Sequence, residues 1–431
     1  MKRNAITRRS LIRAGAALGA SAAIPLFGGR TMAQAGQSFP NVAKMCRDYV
    51  NRDMVANMIA YIGVSGAAAQ LVGSGRDSFN GSRRSDADSI YRIYSMTKPI
   101  TGMAAMMLVE EGKLTLDTEL PEILPKFDHM MVQKEYDGAI TPDNLEPAER
   151  PITIRQLLTH TAGLGYSAVQ QGPIREAMNR AGVVSGMLTR LPIEELLRGA
   201  PVHGLELFAD RLAEFPLVWQ PGKRWIYSTG LDLMGRVIEV VSGQRFDAFL
   251  KERIFDPCGM EETWFQVPQS EVHRLTTSYG VIGGFVIPID FPGFSIFLDK
   301  PPFPMGGSGL ASTPRDYDRF LRMLAGYGML EGKRVMSAAA VRTGTSNLLP
   351  DLAVTNGTSV AGYGFGAGGR VGWAGAPQAY GWAGAAGTIG VVDMASGSRA
   401  GLYTQYMPVF TYPVYEDFEE ALAKDLALQQ G

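Results

Sequence analysis

Apolar residues recur at helical spacing from Asn41 onward (Val42, Met45, Val50, Met54, Met58), which predicts an opening helix over 41–62. A compact apolar run bounded by glycines predicts a buried strand over 66–75, and Tyr91-Arg92-Ile93-Tyr94 a short extended piece. That piece runs into a helix from about 95 to 111, with Gly112 as its stop. The middle of the chain, roughly 115–330, alternates helical segments with Pro- and Gly-rich loops. Its clearest helices are expected over 154–158, 193–199, 230–241, 246–254 and 313–325. The pattern then changes to strands over 363–371, 387–393 and 400–406, and an amphipathic helix over 413–429 closes the chain. Strands near both ends with helices between them predict an α+β fold. One antiparallel sheet is built from the two chain ends, flanked by helices, with a mainly helical lobe inserted over 115–330. A cleft between the lobes is where a site belongs.

The first 35 positions stand apart. They carry Lys2, Arg3, Arg8, Arg9, Arg13 and Arg30 and no acid, an Ala- and Gly-rich stretch over 14–29, and then Ala33-Gln34-Ala35. Small residues at that place are what a signal peptidase reads. Thr7-Arg8-Arg9-Ser10-Leu11-Ile12-Arg13 resembles a twin-arginine signal. The expectation is a leader over 1–35, removed near Ala35 after passage through the twin-arginine export machinery into the periplasm, and a mature domain over 36–431. No later apolar run reaches about 18 residues, so no stable membrane anchor is expected.

The whole chain has 41 basic and 42 acidic residues; without the leader 35 basic residues face 42 acidic, a net charge of −7. A mildly acidic chain without a basic stripe argues against nucleic acid as a partner. Cys46 and Cys258, about 200 positions apart, form no disulfide framework and are expected as buried free thiols. Four histidines show no zinc spacing, and no metal or organic cofactor is implied.

Ser95-Met96-Thr97-Lys98 sits at the start of a predicted helix. Three residues is close to one turn, so the Ser95 hydroxyl and the Lys98 amine share a face. A serine is a weak nucleophile until a base takes its proton. A lysine can be that base once burial and the positive helix end lower its pKa. Alone, Ser-x-x-Lys is also met as an N-cap serine beside a solvated lysine. Further segments in order change that balance. They are Ile154-Arg155-Gln156-Leu157-Leu158-Thr159-His160-Thr161-Ala162-Gly163-Leu164, Pro221-Gly222-Lys223-Arg224-Trp225-Ile226-Tyr227-Ser228 and Ile254-Phe255-Asp256-Pro257-Cys258-Gly259-Met260. Gly306-Gly307-Ser308-Gly309-Leu310-Ala311-Ser312-Thr313 and Tyr380-Gly381-Trp382-Ala383-Gly384-Ala385-Ala386-Gly387-Thr388 complete the set.

With these segments the chain, from about residue 40 to its end, resembles the serine β-lactamase-related hydrolases, which share the fold of penicillin-binding proteins. Within them it is most similar to the family VIII carboxylesterases. The resemblance implies Ser95 as acyl-accepting nucleophile, with Lys98 and Tyr227 moving protons. It also implies an oxyanion hole from the N–H groups of Ser95 and Ala385, with Trp382, Gly384 and Thr229 toward the substrate. Thr229 is further expected as the N-cap of the next helix, with Asp232 completing a capping box. Trp373-Ala374-Gly375 repeats the triplet Trp382-Ala383-Gly384 nine residues earlier, and is expected to be a hairpin or loop. His160 invites a Ser-His-Asp reading, but no Gly-x-Ser-x-Gly elbow occurs and an α/β-hydrolase triad is rejected.

Two departures from the β-lactamase pattern bear on substrate. Trp382 stands where those enzymes carry the lysine that holds a substrate carboxylate, and Thr229 where they carry an asparagine. Both changes favour a small neutral ester as the partner molecule. Phe291, Phe294 and Phe297 in the loop 285–303 serve equally as an apolar lining or as ordinary core. Three other functions stay open on the same scaffold: a D-amino-acid peptidase or DD-carboxypeptidase, a β-lactamase, and an acyltransferase. A non-catalytic binding protein is the alternative of a different class.

Overall fold

The computed structural model describes residues 38–193, 199–373 and 376–429. The leader expected over 1–35, the interior of the helix expected over 193–199, and Ala374-Gly375 of the earlier Trp-Ala-Gly triplet lie outside them. Among the helices are α1 (Pro40–Asn51), α2 (Thr97–Glu110), α3 (Ile154–Leu158), α4 (Gly230–Ser242), α5 (Pro314–Ala325) and α6 (Val414–Leu428).

A seven-stranded antiparallel sheet joins the two ends of the chain. The N-terminal side gives β1 (Asn57–Gly63) and β2 (Gln70–Gly75). The C-terminal side gives β3 (Gly364–Phe365), β4 (Arg370–Trp373), β5 (Ala376–Gly384), β6 (Thr388–Asp393) and β7 (Arg399–Tyr403). The order is β3-β4-β5-β6-β7-β1-β2, with Ile59 of β1 opposite Tyr403 of β7. Side chains of β1 alternate between two cores, as a strand's period of two requires. Met58, Ala60 and Ile62 join Val42 and Phe418 under α1 and α6, while Ile59 joins the larger core on the other face.

That double burial explains one difference from the sequence reading. The helix expected over 41–62 is two elements: α1 ends at Asn51, Asp53 turns the chain with φ 53°, and β1 follows. A strand covered on both faces is apolar throughout, so its residues extend a helical pattern as readily as they break it. The strand expected over 363–371 is likewise the paired β3 and β4. The helix expected over 246–254 becomes Phe246–Leu250 continued by a π-helical turn over Lys251–Phe255. Trp373 pairs with Ala376 across β4 and β5.

Between β2 and β3 the chain folds around the larger core, with α2 at its centre. Every α2 residue from Thr97 to Leu108 is buried. A helix that is apolar on all sides belongs in an interior, and Lys98 is carried in with it. Cys46 and Cys258 are buried free thiols, each pushed up to about 12 by burial. No helix among the described residues is long and apolar enough to cross a membrane.

The strand Tyr91–Arg92, just before Ser95, is clamped from both sides. Arg92 is fully buried and donates to the Asp290 carboxylate (2.6 Å), the Thr276 carbonyl (2.6 Å) and the Ser295 hydroxyl (3.1 Å). The Gln405 side chain accepts from the Arg92 N–H (3.2 Å) and donates to its carbonyl (3.1 Å). Removing one partner of a buried pair strands the other charge in the interior. Arg92→Ala is therefore expected to lower unfolding free energy by about 3–5 kcal/mol, read as a lower urea midpoint at unchanged slope.

Candidate active site

Ser95 lies in a 3₁₀ turn, Tyr94–Met96, that leads directly into α2. Tyr94 adopts φ 41°, a conformation that costs a non-glycine residue energy and so needs its surroundings to hold it. They do: the Ile93 N–H donates to the Leu310 carbonyl (3.0 Å), and the Tyr317 hydroxyl of α5 donates to the Met96 carbonyl (3.0 Å). Lys98, one turn on, is only 2% exposed. Its Nζ lies 3.1 Å from the Ser95 Oγ and 2.7 Å from the Gly307 carbonyl.

Tyr227 arrives from the opposite side. The Ile226 N–H donates to the His160 carbonyl (2.9 Å), and the Ser228 N–H to the His160 Nδ1 (3.3 Å). The segment around His160 thereby fixes the segment around Tyr227, which the sequence alone could not place together. The Tyr227 hydroxyl donates to the Ser95 Oγ at 2.7 Å, and Lys98 Nζ sits 4.4 Å from the centre of the Tyr227 ring. Trp382 of β5 stacks on Tyr227 at 5.9 Å between ring centres and donates its Nε1–H to the Tyr227 hydroxyl oxygen at 3.2 Å. Trp382 thus touches the tyrosine rather than standing apart from it.

Electrostatics follow from this packing. Burial lowers the Lys98 amine to about 8, against an upward pull from Tyr166 and Asp232. Burial raises Tyr227 to about 12, partly offset by its hydrogen bonds to Ser95 and Trp382. Near neutral pH the tyrosine is therefore a protonated donor. A neutral Lys98 can donate one N–H to the Gly307 carbonyl and turn its lone pair toward the Ser95 hydroxyl. The hydrogen bonds then all run one way, from Trp382 to Tyr227 to Ser95 to Lys98 to Gly307.

Gly384 ends β5 against the segment that leads into Ser95: a Cβ there would lie 2.4 Å from the Ile93 carbonyl oxygen and 2.2 Å from Thr388 Oγ1. Only glycine allows that contact. Ala385 follows at the exposed start of the β5–β6 turn, beyond the last ladder pair, Gly384 with Thr388. The Tyr415 hydroxyl of α6 donates to the Gly384 carbonyl (2.7 Å).

Two expectations are corrected. Thr229 is fully buried, and its hydroxyl is committed to the Gly165 carbonyl (3.0 Å). It does precede α4 as N-cap, but its side chain caps nothing. Asp232 completes no capping box either. Its carboxylate accepts from the Ser185 hydroxyl (2.7 Å) and the Gly307 N–H (2.9 Å). Local spacing suggested a cap, whereas both real partners are distant in sequence. Asp232 and Gly307 were absent from the sequence-derived site; the paired glycines at 306–307 were their one visible trace. His160 is buried behind Tyr227, its ring centre 4.8 Å from the phenol. Its pKa is held well below the ordinary value by burial and by Lys98. The loop expected over 285–303 begins instead as a strand, Phe285–Asp290, paired with Ser278–Ile282; beyond it Phe297 is core and touches the Tyr94 ring, whereas Phe291 and Phe294 stack on each other at the surface.

Comparison with known proteins converges on one group. An uncharacterized protein of Mycobacterium tuberculosis is 36% identical over 264 residues, 61% of each chain. A lovastatin esterase of Penicillium rubens is 30% identical over 254 residues, 56% of this chain and 57% of its own. The alignments thus span about three fifths of these relatives. In three dimensions the chain superposes on EstCE1, a hydrolase with promiscuous acyltransferase activity, with a TM-score of 0.72 at 22% identity, covering 90% of this chain and 100% of that one. The Beta-lactamase family matches residues 30–423, nearly the full length. Sequence family, sheet topology and the serine–lysine turn agree, and the chain belongs to the Beta-lactamase family.

Proposed function

We propose that the protein is a serine hydrolase that cleaves carboxylic esters through an acyl-Ser95 intermediate. The observation that carries this reading is the Ser95 hydroxyl held between the Lys98 amine (3.1 Å) and the Tyr227 hydroxyl (2.7 Å). Neutral Lys98 takes the Oγ proton as Ser95 attacks the ester carbonyl. The oxyanion is met by the N–H groups of Ser95 and Ala385, a type of contact worth about 10²–10³-fold per donor. On collapse, Tyr227 gives its proton to the departing alkoxide, and the phenolate is stabilised by the Lys98 ammonium and the Trp382 N–H. The ammonium then returns a proton to the phenolate. Water enters, gives a proton to Lys98, and attacks the acyl carbon; Ser95 leaves and recovers its proton. Ester and water become acid and alcohol.

Neutral esters fit this site better than carboxylate-bearing amides. The position that would offer a cation is Trp382, whose N–H is engaged by Tyr227. The esterase among the relatives supports the same choice. Acyl transfer to an alcohol in place of water uses the same intermediate, and EstCE1, a hydrolase with promiscuous acyltransferase activity, joins the two in one protein.

The test is turnover of p-nitrophenyl butyrate beside labelling by a fluorophosphonate. The folded protein is expected to do both, and Ser95→Ala neither. Equal rates for the two proteins would remove Ser95 from the mechanism.

A further inference from the structure

Lys98 is gripped by a carbonyl that is itself held in place. The peptide joining Gly306 to Gly307 is fixed at both ends: its carbonyl accepts from the Thr101 hydroxyl (2.7 Å), and its N–H donates to Asp232 (2.9 Å). The next carbonyl, that of Gly307, receives the Lys98 amine (2.7 Å). Neither glycine can be replaced without displacing a neighbour. A Cβ at 306 would lie 2.4 Å from the Leu231 carbonyl oxygen, and one at 307 would lie 2.8 Å from Asp232 Oδ2. Asp232 is 3% exposed and has Ser185 as its other donor (2.7 Å).

A buried carboxylate is costly unless something nearby needs its charge. The Arg92–Asp290 pair shows the usual solution, a direct ion pair. Asp232 instead takes two neutral donors, one of them the N–H of Gly307, the residue whose carbonyl is the lysine's own acceptor. We propose that Asp232 is the positioning and counter-charge residue for Lys98, acting through the Gly306–Gly307 segment, in the reaction read above for Ser95.

The groups facing Lys98 come from three directions. Ser95 comes from the turn that leads into the lysine's own helix; Tyr166 and the neutral His160 come from the segment after α3; Tyr227 comes from the segment leading into α4, and Asp232 from its first turn. Asp232 is the acid among the charges that act on Lys98. Burial lifts the Asp232 carboxyl above the usual carboxylate range, opposed by Lys98, Ser185 and the Gly307 N–H. Deleting its charge makes the ammonium harder to keep. The base then becomes available at lower pH, while the slackened carbonyl places it less well.

The experiment is the pH dependence of kcat/KM for p-nitrophenyl butyrate in wild type, Asp232→Asn and Asp232→Glu, with fluorophosphonate labelling and melting curves alongside. Asp232→Asn is expected to move the acid limb down by about one pH unit and to lower kcat about 10–100-fold at nearly constant KM. Asp232→Glu keeps the charge but displaces it, so the limb stays while kcat falls. An Asn variant with the wild-type limb overturns the proposal. Where that variant does not fold, a Glu variant with wild-type kcat overturns it equally. Failure of the wild type itself to label or turn over would sink the ester-hydrolase reading instead.

Discussion

Lys98→Met is expected to lower kcat/KM for p-nitrophenyl butyrate by about 10³-fold, near 4 kcal/mol of barrier, without loss of fold. In the proposed mechanism the amine accepts the Ser95 proton; methionine fills the same unbranched channel and accepts nothing. Stability is expected to hold. The variant no longer buries a titrating amine, which offsets the unpaired Gly307 carbonyl, a loss of about 1–3 kcal/mol. The pH profile of the wild type follows from the same group. Burial lowers the amine to about 8; below that it carries a proton and has no lone pair to offer, above it the lone pair is free. Activity is therefore expected to rise with pH through about 8. Steady-state kinetics from pH 6 to 10, taken with a melting curve of the variant, decide the matter. A wild-type rate in Lys98→Met would move the base elsewhere.

The parts of this site that repeat a local rule were readable from the chain. Ser95 and Lys98 stand one turn apart, and a helix that follows puts them together whatever the rest of the fold does. Gly384 was visible as a glycine in a motif, and its reason is a close approach to Ile93. Tyr227 could be assigned only through resemblance, because its place depends on hydrogen bonds to His160, 67 positions earlier. Asp232 shows the opposite failure. Three residues from an N-cap threonine it has the spacing of a local cap, yet its partners are Ser185 and Gly307. Thr229 was lost the same way, since spacing gives the position of a hydroxyl and not its direction. The strand β1 was absorbed into a helix because both of its faces are buried. In each case the missing information was a long-range contact, which no periodicity within one segment records.

Tyr227→Phe separates the tyrosine's chemistry from its packing. Loss of the hydroxyl is expected to slow acylation by ethyl butyrate about 10²–10⁴-fold, because an alkoxide cannot leave well without a proton. The nitrophenolate of p-nitrophenyl butyrate leaves without one, so the same variant is expected to lose far less with that ester. The phenylalanine ring keeps its stack on Trp382 and its place beside Lys98, so thermal stability changes little, and the Trp382 N–H is left to solvent at the half-buried edge of the site. Acylation rates in single-turnover experiments give the comparison directly. Unequal losses locate the Tyr227 proton at the step that breaks the C–O bond. Equal losses would place its action before that step, at the activation of Ser95, and would leave the protonation of the alkoxide to the Lys98 ammonium.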